Sequence, residues 1–259
     1  MSATLRIIAS GLTSHQRNID VIANNIANMQ TPGFKKTRVE FKDLPHRPEA
    51  LVAAEAGRIT LADESDGEGV RINATQTVFT QGPLQEVGNP LDLALEGPGF
   101  FQLRLPDGSI AYTRNGSLSV DAQNRIVNHE GFAIEPPVTL PEGTTAVRVD
   151  ADGSVWAQAG DGEPKKVGEI RVAQFANPEG LTAIGHGLFA STEVSGAPTV
   201  GAPGAPGQAK LHAGVLEQSN VDLADEASRL LQAQRAYQLN LQALRAWDQI
   251  AERATSLRG

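Results

Sequence analysis

The sequence predicts an α+β chain: a long helix at each end, the two paired as a coiled-coil-like stalk, with an all-β middle domain inserted between them. Three observations carry that expectation. A heptad stripe of apolar residues runs through residues 1–30. A second helical stripe runs from about Asp222 to Leu257. Between them apolar residues alternate with polar ones at period two and are interrupted by turn dipeptides.

In the first stripe Leu5, Ile8, Leu12, His15, Ile19, Ile22, Ile26 and Met29 follow one another at alternating steps of three and four. A helix aligns side chains at that spacing, and the average step of about 3.5 is that of a coiled-coil seam, so the stripe needs a partner helix. His15 is the polar member. Its free pKa near neutrality makes it a candidate pH sensor of assembly. Gly11 costs about 1 kcal/mol of helix propensity relative to Ala. Asn24, Asn25 and Asn28 compete for backbone hydrogen bonds. Thr31-Pro32-Gly33 stops the helix, because proline disfavours helical geometry in the residue before it and glycine supplies a turn.

Residues 31–80 read as an extended connecting segment with partial β structure. Within it, Pro45 to Gly69 is rich in Ala, Glu and Asp and shows no sustained period. Residues 81–194 read as the β-rich middle domain. Leu91, Leu93 and Leu95 alternate with Asp92, Ala94 and Glu96, the pattern of a half-buried strand. Phe101, Leu103 and Leu105 repeat it up to the turn Pro106-Asp107-Gly108. Ile110 and Tyr112, then Asn115-Gly116, then Leu118 and Val120 continue it as successive hairpins. Further strands are expected near 125–127, 146–149, 154–157 and 167–175, with turns at Asp152-Gly153 and Asp161-Gly162. Residues 195–220 read as a connector and return segment, opening with the Pro/Gly/Ala run of residues 195–208.

The second helix carries Leu223, Ala227, Leu230, Tyr237, Leu241 and Leu244 at steps of three, four or seven, and Trp247, Ala251 and Ala254 extend the stripe. Asp222 suits the cap, and Asp225 and Glu226 the first turn. Residues 1–30 and 221–259 together form the expected helical assembly domain. Apolar residues also lie off both stripes: Ile7, Val21, Ala23 and Ala27 in the first helix, and Leu231, Leu239, Ala243, Ala246 and Ile250 in the second. Two helices alone cannot cover all those faces, and uncovered apolar surface on that scale marks an interface. Head-to-tail contacts that do not close then build a helical filament.

Composition narrows the alternatives. The 259 residues are 40% hydrophobic and 20% charged, which suits a folded chain. A net charge of -8 argues against a nucleic-acid surface. There is no apolar run of about 18 residues for a membrane span. The patch after Arg6 is too short for a secretory signal, so an exported chain would keep its N-terminus. Without cysteine, disulfides, thiolate metal sites and cysteine nucleophiles are excluded. His15, His46, His129, His186 and His212 are too far apart for a helical metal pair. Asp150-Ala151-Asp152-Gly153 lacks the later ligands of a calcium loop and reads as a turn. Lys35, Lys36 and Arg38 read as a solvated basic run, or as the partner of a neighbour's acidic loop at 55–68. No local spacing assembles a nucleophile, base and orienting acid, so neither catalysis nor a cofactor is expected. Two rival classes are a β-rich carbohydrate-processing enzyme, whose mark would be a pair of catalytic carboxylates, and a soluble coiled-coil adaptor, which would form a small closed oligomer.

Three segments resemble a known family. Asn18 to Phe41 reads NIDVIANNIANMQTPGFKKTRVEF, and its motif residues Asn24, Asn25, Asn28, Thr31, Gly33 and Phe34 match the N-terminal signature of flagellar rod and hook axial proteins. Gly97 to Phe132 resembles the β domain of that family, and Gly214 to Asn240 its C-terminal signature. The resemblance spans nearly the whole chain in the family's order. It implies a structural subunit of the flagellar basal-body rod, exported unfolded through the flagellar type III apparatus and stacked helically into a hollow drive shaft. The terminal helices would line the inner tube and the β domain the outer layer. The run from Gly67 to Phe79 and the length favour the distal rod branch, with the proximal rod branch as the alternative. The implied partners are further copies of the chain, proximal rod and hook proteins, and the surrounding periplasmic and outer-membrane rings, with no nucleic acid and no membrane insertion. The residues expected to carry assembly are Leu5, Ile8, Leu12, Ile19, Ile22, Ile26 and Met29, with Leu223, Ala227, Leu230, Tyr237, Leu241 and Leu244.

Overall fold

The computed structural model describes residues 3–43, 69–160 and 162–256. The acidic stretch before Gly69, His46 and Asp161 lie outside the described residues. The chain is α+β, with an N-terminal helix, a β-rich middle and a C-terminal helix. It divides into two compact units. The terminal unit comprises Met1–Ile26, Thr37–Gln76 and Leu223–Gly259, and the β unit comprises Ala27–Lys36 and Thr77–Asp222.

The terminal unit holds helix α1 (Ala3–Ala27), the two-stranded sheet of β1 (Thr37–Asp43) and β2 (Val70–Thr77), and helix α2 (Leu223–Ser256). The α1 seam faces inward: Ile8 and Ile22 are buried, and Leu5, Leu12, Ile19 and Ile26 are partly buried. The helix ends at Ala27, slightly before the end of the seam. Two turns follow, closed by the Thr31 N–H on Asn28 O at 3.1 Å and the Phe34 N–H on Thr31 O at 3.2 Å. Met29 therefore lies in a turn. On α2 the residues Ala227, Leu230, Tyr237, Leu241 and Leu244 are all partly buried. Glu226 and Ala233 beside them are buried, Asn240 is partly buried, and Leu223 is 49% exposed. Two contacts set the helices antiparallel. Asn25 meets Glu226, and a Cβ on Gly11 would lie 3.2 Å from Asn240 Nδ2.

The β unit contains, in chain order, β3 (Leu84–Glu86), β4 (Leu93–Glu96), β5 (Phe100–Arg104), β6 (Ile110–Thr113), β7 (Leu118–Val120), β8 (Ile126–Asn128), β9 (Ala133–Ile134) and β10 (Thr144–Val149). It continues with β11 (Ser154–Ala159), β12 (Lys165–Glu169), β13 (Val172–Gln174), β14 (Thr182–Gly185), β15 (Leu188–Ala190), β16 (Thr199–Gly201), β17 (Lys210–Ala213) and β18 (Val215–Glu217). The main sheet has the order β14-β15-β6-β5-β9-β8-β7, and β13 joins it by pairing with β5 and β16. A second sheet is β10-β11-β12, and two ladders pair β17 with β4 and β18 with β3. Leu93, Phe101, Leu103, Ile126, Ile134 and Val155 form its main core. Beside it Phe100, Tyr112, Phe175 and Phe189 pack with Phe79 edge to face, the arrangement that ring quadrupoles favour.

Local chemistry explains where the sequence pattern held and where it failed. The hairpin of β5 and β6 turns at Pro106-Asp107-Gly108, where Gly108 has φ +84° and the Asp107 carboxylate accepts the Ser109 N–H at 2.9 Å. That of β10 and β11 turns at Asp152-Gly153, where Asp152 accepts the Ser154 N–H at 2.9 Å. Asn115-Gly116 is not a hairpin turn. β6 pairs with β5 and β15, whereas β7 pairs with β8. Gly116 instead lets the chain cross β4, since a Cβ there would lie 1.7 Å from Leu93 O. The stretch 167–175 is two strands of different sheets. The Ile170 N–H, drawn to Gly153 O at 2.7 Å, divides them. β4 does not alternate, because Leu93, Ala94 and Leu95 are all buried. The Pro/Gly/Ala run holds β16, a strand too short to show a period.

Candidate assembly site

In the terminal unit the second motif asparagine ties three elements together. Asn25 Oδ1 accepts the Thr37 N–H at 2.9 Å, and its Nδ2 donates to Thr37 O at 2.9 Å and to Glu226 Oε2 at 3.3 Å. The amide thus satisfies both backbone groups at the start of β1 and one buried carboxylate of α2. Asn25 and Glu226 are 1% and 2% exposed. Higher on α1, Ser10 and Ser14 grip the start of β2: the Val70 N–H donates to Ser10 Oγ at 3.2 Å, and Ser14 Oγ donates to Val70 O at 3.4 Å. Between α1, β1 and α2 lies a groove of about 590 Å³, walled by His15, Val21, Ile22, Val39, Phe41 and Ala233. The His15 and Phe41 rings are 6.4 Å apart.

Around these contacts the helices leave apolar side chains uncovered. Leu231, Leu239 and Ile250 are 56%, 64% and 66% exposed, and Ile7 is 36% exposed. Ala23, Ala27, Ala243 and Ala246 are exposed as well, and Val21 is partly buried. These residues lie outside the α1 seam and the inward stripe of α2.

The rest of the N-terminal motif belongs to the β unit. Gly33 has φ +69°, and its N–H donates to Glu217 O at 2.7 Å. A Cβ on it would lie 2.5 Å from Asn115 N, so only glycine fits. Phe34 O accepts the Asn220 N–H at 3.4 Å. Lys35 is not the solvated cation expected from its basic run. Its side chain is 0% exposed, paired with Glu217 Oε1 and bonded to Thr80 O at 2.8 Å. Arg114 Nη1 lies 3.4 Å from Glu217 Oε2, and Arg114 also stacks over the Phe100 ring at 5.4 Å. Burial pulls the Lys35 ammonium below its ordinary pKa against the raising effect of Glu217. Burial likewise lowers that of Arg114. The sequence pattern missed Glu217, Arg114 and Asn220, because the contacts that join them to this cluster span more than 100 residues.

One described cluster combines a serine, a histidine and an acid. Ser117 Oγ lies between His129 Nε2 at 3.0 Å and Asp92 Oδ1 at 3.2 Å. The acid holds the hydroxyl and not the imidazole, which is the wrong order for activating a serine. His212 pairs with Glu96 at 2.9 Å and His186 with Glu130 at 3.0 Å, both on the surface. The His212 hydrogen bond is the main cause that holds the Glu96 carboxyl below its ordinary pKa. Among the described residues no group of acids and histidines could hold a metal ion, and no helix is long and apolar enough to cross a membrane.

Three family models match separate parts of the chain: "Flagella basal body rod protein" at residues 5–35, "Flagellar hook protein FlgE/F/G D1 domain" at 94–157, and "Flagellar basal body rod FlgEFG protein C-terminal" at 212–257. The chain is 38% identical to the flagellar basal-body rod protein FlgG of Borreliella burgdorferi, over 100% of this chain and 99% of that one. It is 39% identical to FlgG of Caulobacter vibrioides, over 98% of each. To the rod protein FlgF of Caulobacter vibrioides it is 32% identical, over 86% of this chain and 84% of that one.

Proposed function

The chain belongs to the flagellar basal-body rod protein family, and from that premise we propose that it is a distal rod subunit that polymerises helically into a rigid hollow shaft carrying torque from motor to hook. A structural role in the rod of the flagellar basal body follows from the family. The distal assignment is supported by the FlgG relatives, which are matched at higher identity and over more of their length than FlgF. In this reading residues 1–30 and 221–259 are the assembly domain. The two helices pair as a coiled coil through Leu5, Ile8, Leu12, Ile19, Ile22 and Ile26 against Ala227, Leu230, Tyr237, Leu241 and Leu244, and Met29 and Leu223 extend the contact at its edges. The motif residues Asn24, Asn28, Thr31, Gly33 and Phe34 set the chain path from helix to β unit. Neighbouring copies, proximal rod subunits, hook subunits and the surrounding rings are the partners.

The observation that carries the reading is the apolar surface that the terminal unit leaves uncovered, with Leu231, Leu239 and Ile250 each more than half exposed. Surface of that kind is stabilised by burial against a neighbour at about 25 cal/mol per Å². The test is sedimentation of the full chain against a variant lacking residues 1–30 and 221–259. The full chain is expected to form large polymers and the truncated one to remain monomeric. A truncated chain that still polymerises would refute the assignment of assembly to the helices.

A further inference from the structure

We propose that Glu217 and Asn220 form a clasp that closes the β unit last, and that the charge of Glu217 decides whether the clasp shuts. The chain passes between the two units after residues 26, 36, 76 and 222. Inside the β unit, the segments beside those passages converge on these two side chains. The Glu217 peptide oxygen accepts the Gly33 N–H. Its Oε1 accepts the Gly82 N–H at 2.9 Å and the Lys35 ammonium, while its Oε2 faces Arg114. Asn220 Oδ1 accepts the Lys36 N–H at 2.8 Å, and its Nδ2 donates to Val78 O at 2.8 Å and to Thr80 O at 3.1 Å. The Val78 N–H completes the ring by donating to Lys36 O at 2.9 Å.

Two features make this a closing device. Every side-chain partner precedes its holder by 103 residues or more, so the clasp forms only after most of the chain is in place. The charges are also unequal. Lys35 and Arg114 are 0% and 4% exposed, and Glu217 is the acid that pairs with both. Until Glu217 docks, closure would take two like charges out of water with only the carbonyls of Thr80, Leu95 and Gly97 to accept from them and no counter-charge, which is strongly unfavourable. The cations therefore hold the segment after α1 and the end of β6 open. Docking of residues 215–220 desolvates all three groups in one step. Removing Lys35 instead leaves one Arg–Glu pair, so the two ends of the ion pair are not equivalent. The inference concerns closure of the β unit and stands whether or not the distal assignment holds.

The test is amide hydrogen exchange of the full chain with Glu217→Gln. Exchange at Gly33, Lys36, Val78 and Gly82 is expected to accelerate at least tenfold, while β5 and β6 stay protected. Adding Lys35→Met returns the site to its native net charge and is expected to recover most of the lost protection. Unchanged exchange at those four amides, equal loss across β5 and β6, or no recovery in the double variant would each overturn the proposal. If Glu217→Gln does not fold, Asn220→Ala opens the clasp without unbalancing charge. Selective exchange at Lys36 and Val78 supports the clasp, and uniform or unchanged exchange refutes it.

Discussion

Asn25 shows how much one side chain can decide. Its amide offers a donor and an acceptor in the geometry of a peptide group, and Thr37 meets both. Asn25→Asp keeps the shape and reverses half the chemistry, because an acceptor oxygen would then face Thr37 O and Glu226 in a buried site. A loss on the order of 3 kcal/mol in urea denaturation followed by helical circular dichroism is expected. Lys35 gives a prediction with a pH sign. Its folded pKa is lowered, chiefly by burial, so the unfolded chain binds the proton more tightly. Stability should therefore rise with pH between that lowered pKa and the ordinary value of 10.5. Lys35→Met removes the titrating group and should flatten the difference in denaturation midpoint between pH 7 and pH 10. An unaltered slope would show that burial of Lys35 is not what the chain titrates there.

At the scale of elements, two glycines near α1 have opposite requirements. Gly33 follows the helix with φ +69° and with backbone 2.5 Å from where a Cβ would sit. Gly33→Ala adds about 1–2 kcal/mol of left-handed strain and a collision that Asn115 cannot avoid without moving its strand connection. Gly11 is inside the helix, and its nearest neighbour is the end of the Asn240 side chain at 3.2 Å. Gly11→Ala gains about 1 kcal/mol of helix propensity, which offsets the adjustment of a side chain that can rotate. Thermal melts should show a clear loss for Gly33→Ala and a change within about 0.5 kcal/mol for Gly11→Ala. Residue type alone does not separate the two positions; Gly11 stands inside the heptad stripe and Gly33 in the turn that ends it.

For the whole molecule, the exposed apolar residues of the terminal helices are expected to bear on assembly more than on the subunit's own stability. Leu239 is 64% exposed and contributes little to the isolated chain. Leu239→Ser should leave the monomer's denaturation midpoint nearly unchanged and weaken sedimentation into polymers. A variant that melts early yet polymerises normally would contradict the proposed role of that face. By itself the sequence determined the α+β class, the two end helices and the turns at Gly108 and Gly153, because heptad spacing and turn residues act over a few positions. It also carried the family, through three separated motifs, each made of residues contiguous in the chain. The tertiary structure decided that Glu226 is a buried acid of α2 and that Lys35 is a core cation. It also decided that Asn115-Gly116 is a crossing and that the chain changes sheets at Ile170. Each of these depends on a partner far along the chain: Glu226 for Asn25, Glu217 for Lys35, Leu93 for Gly116 and Gly153 for Ile170. Burial is set by what packs against a residue, and that information is absent from its own neighbourhood in the sequence.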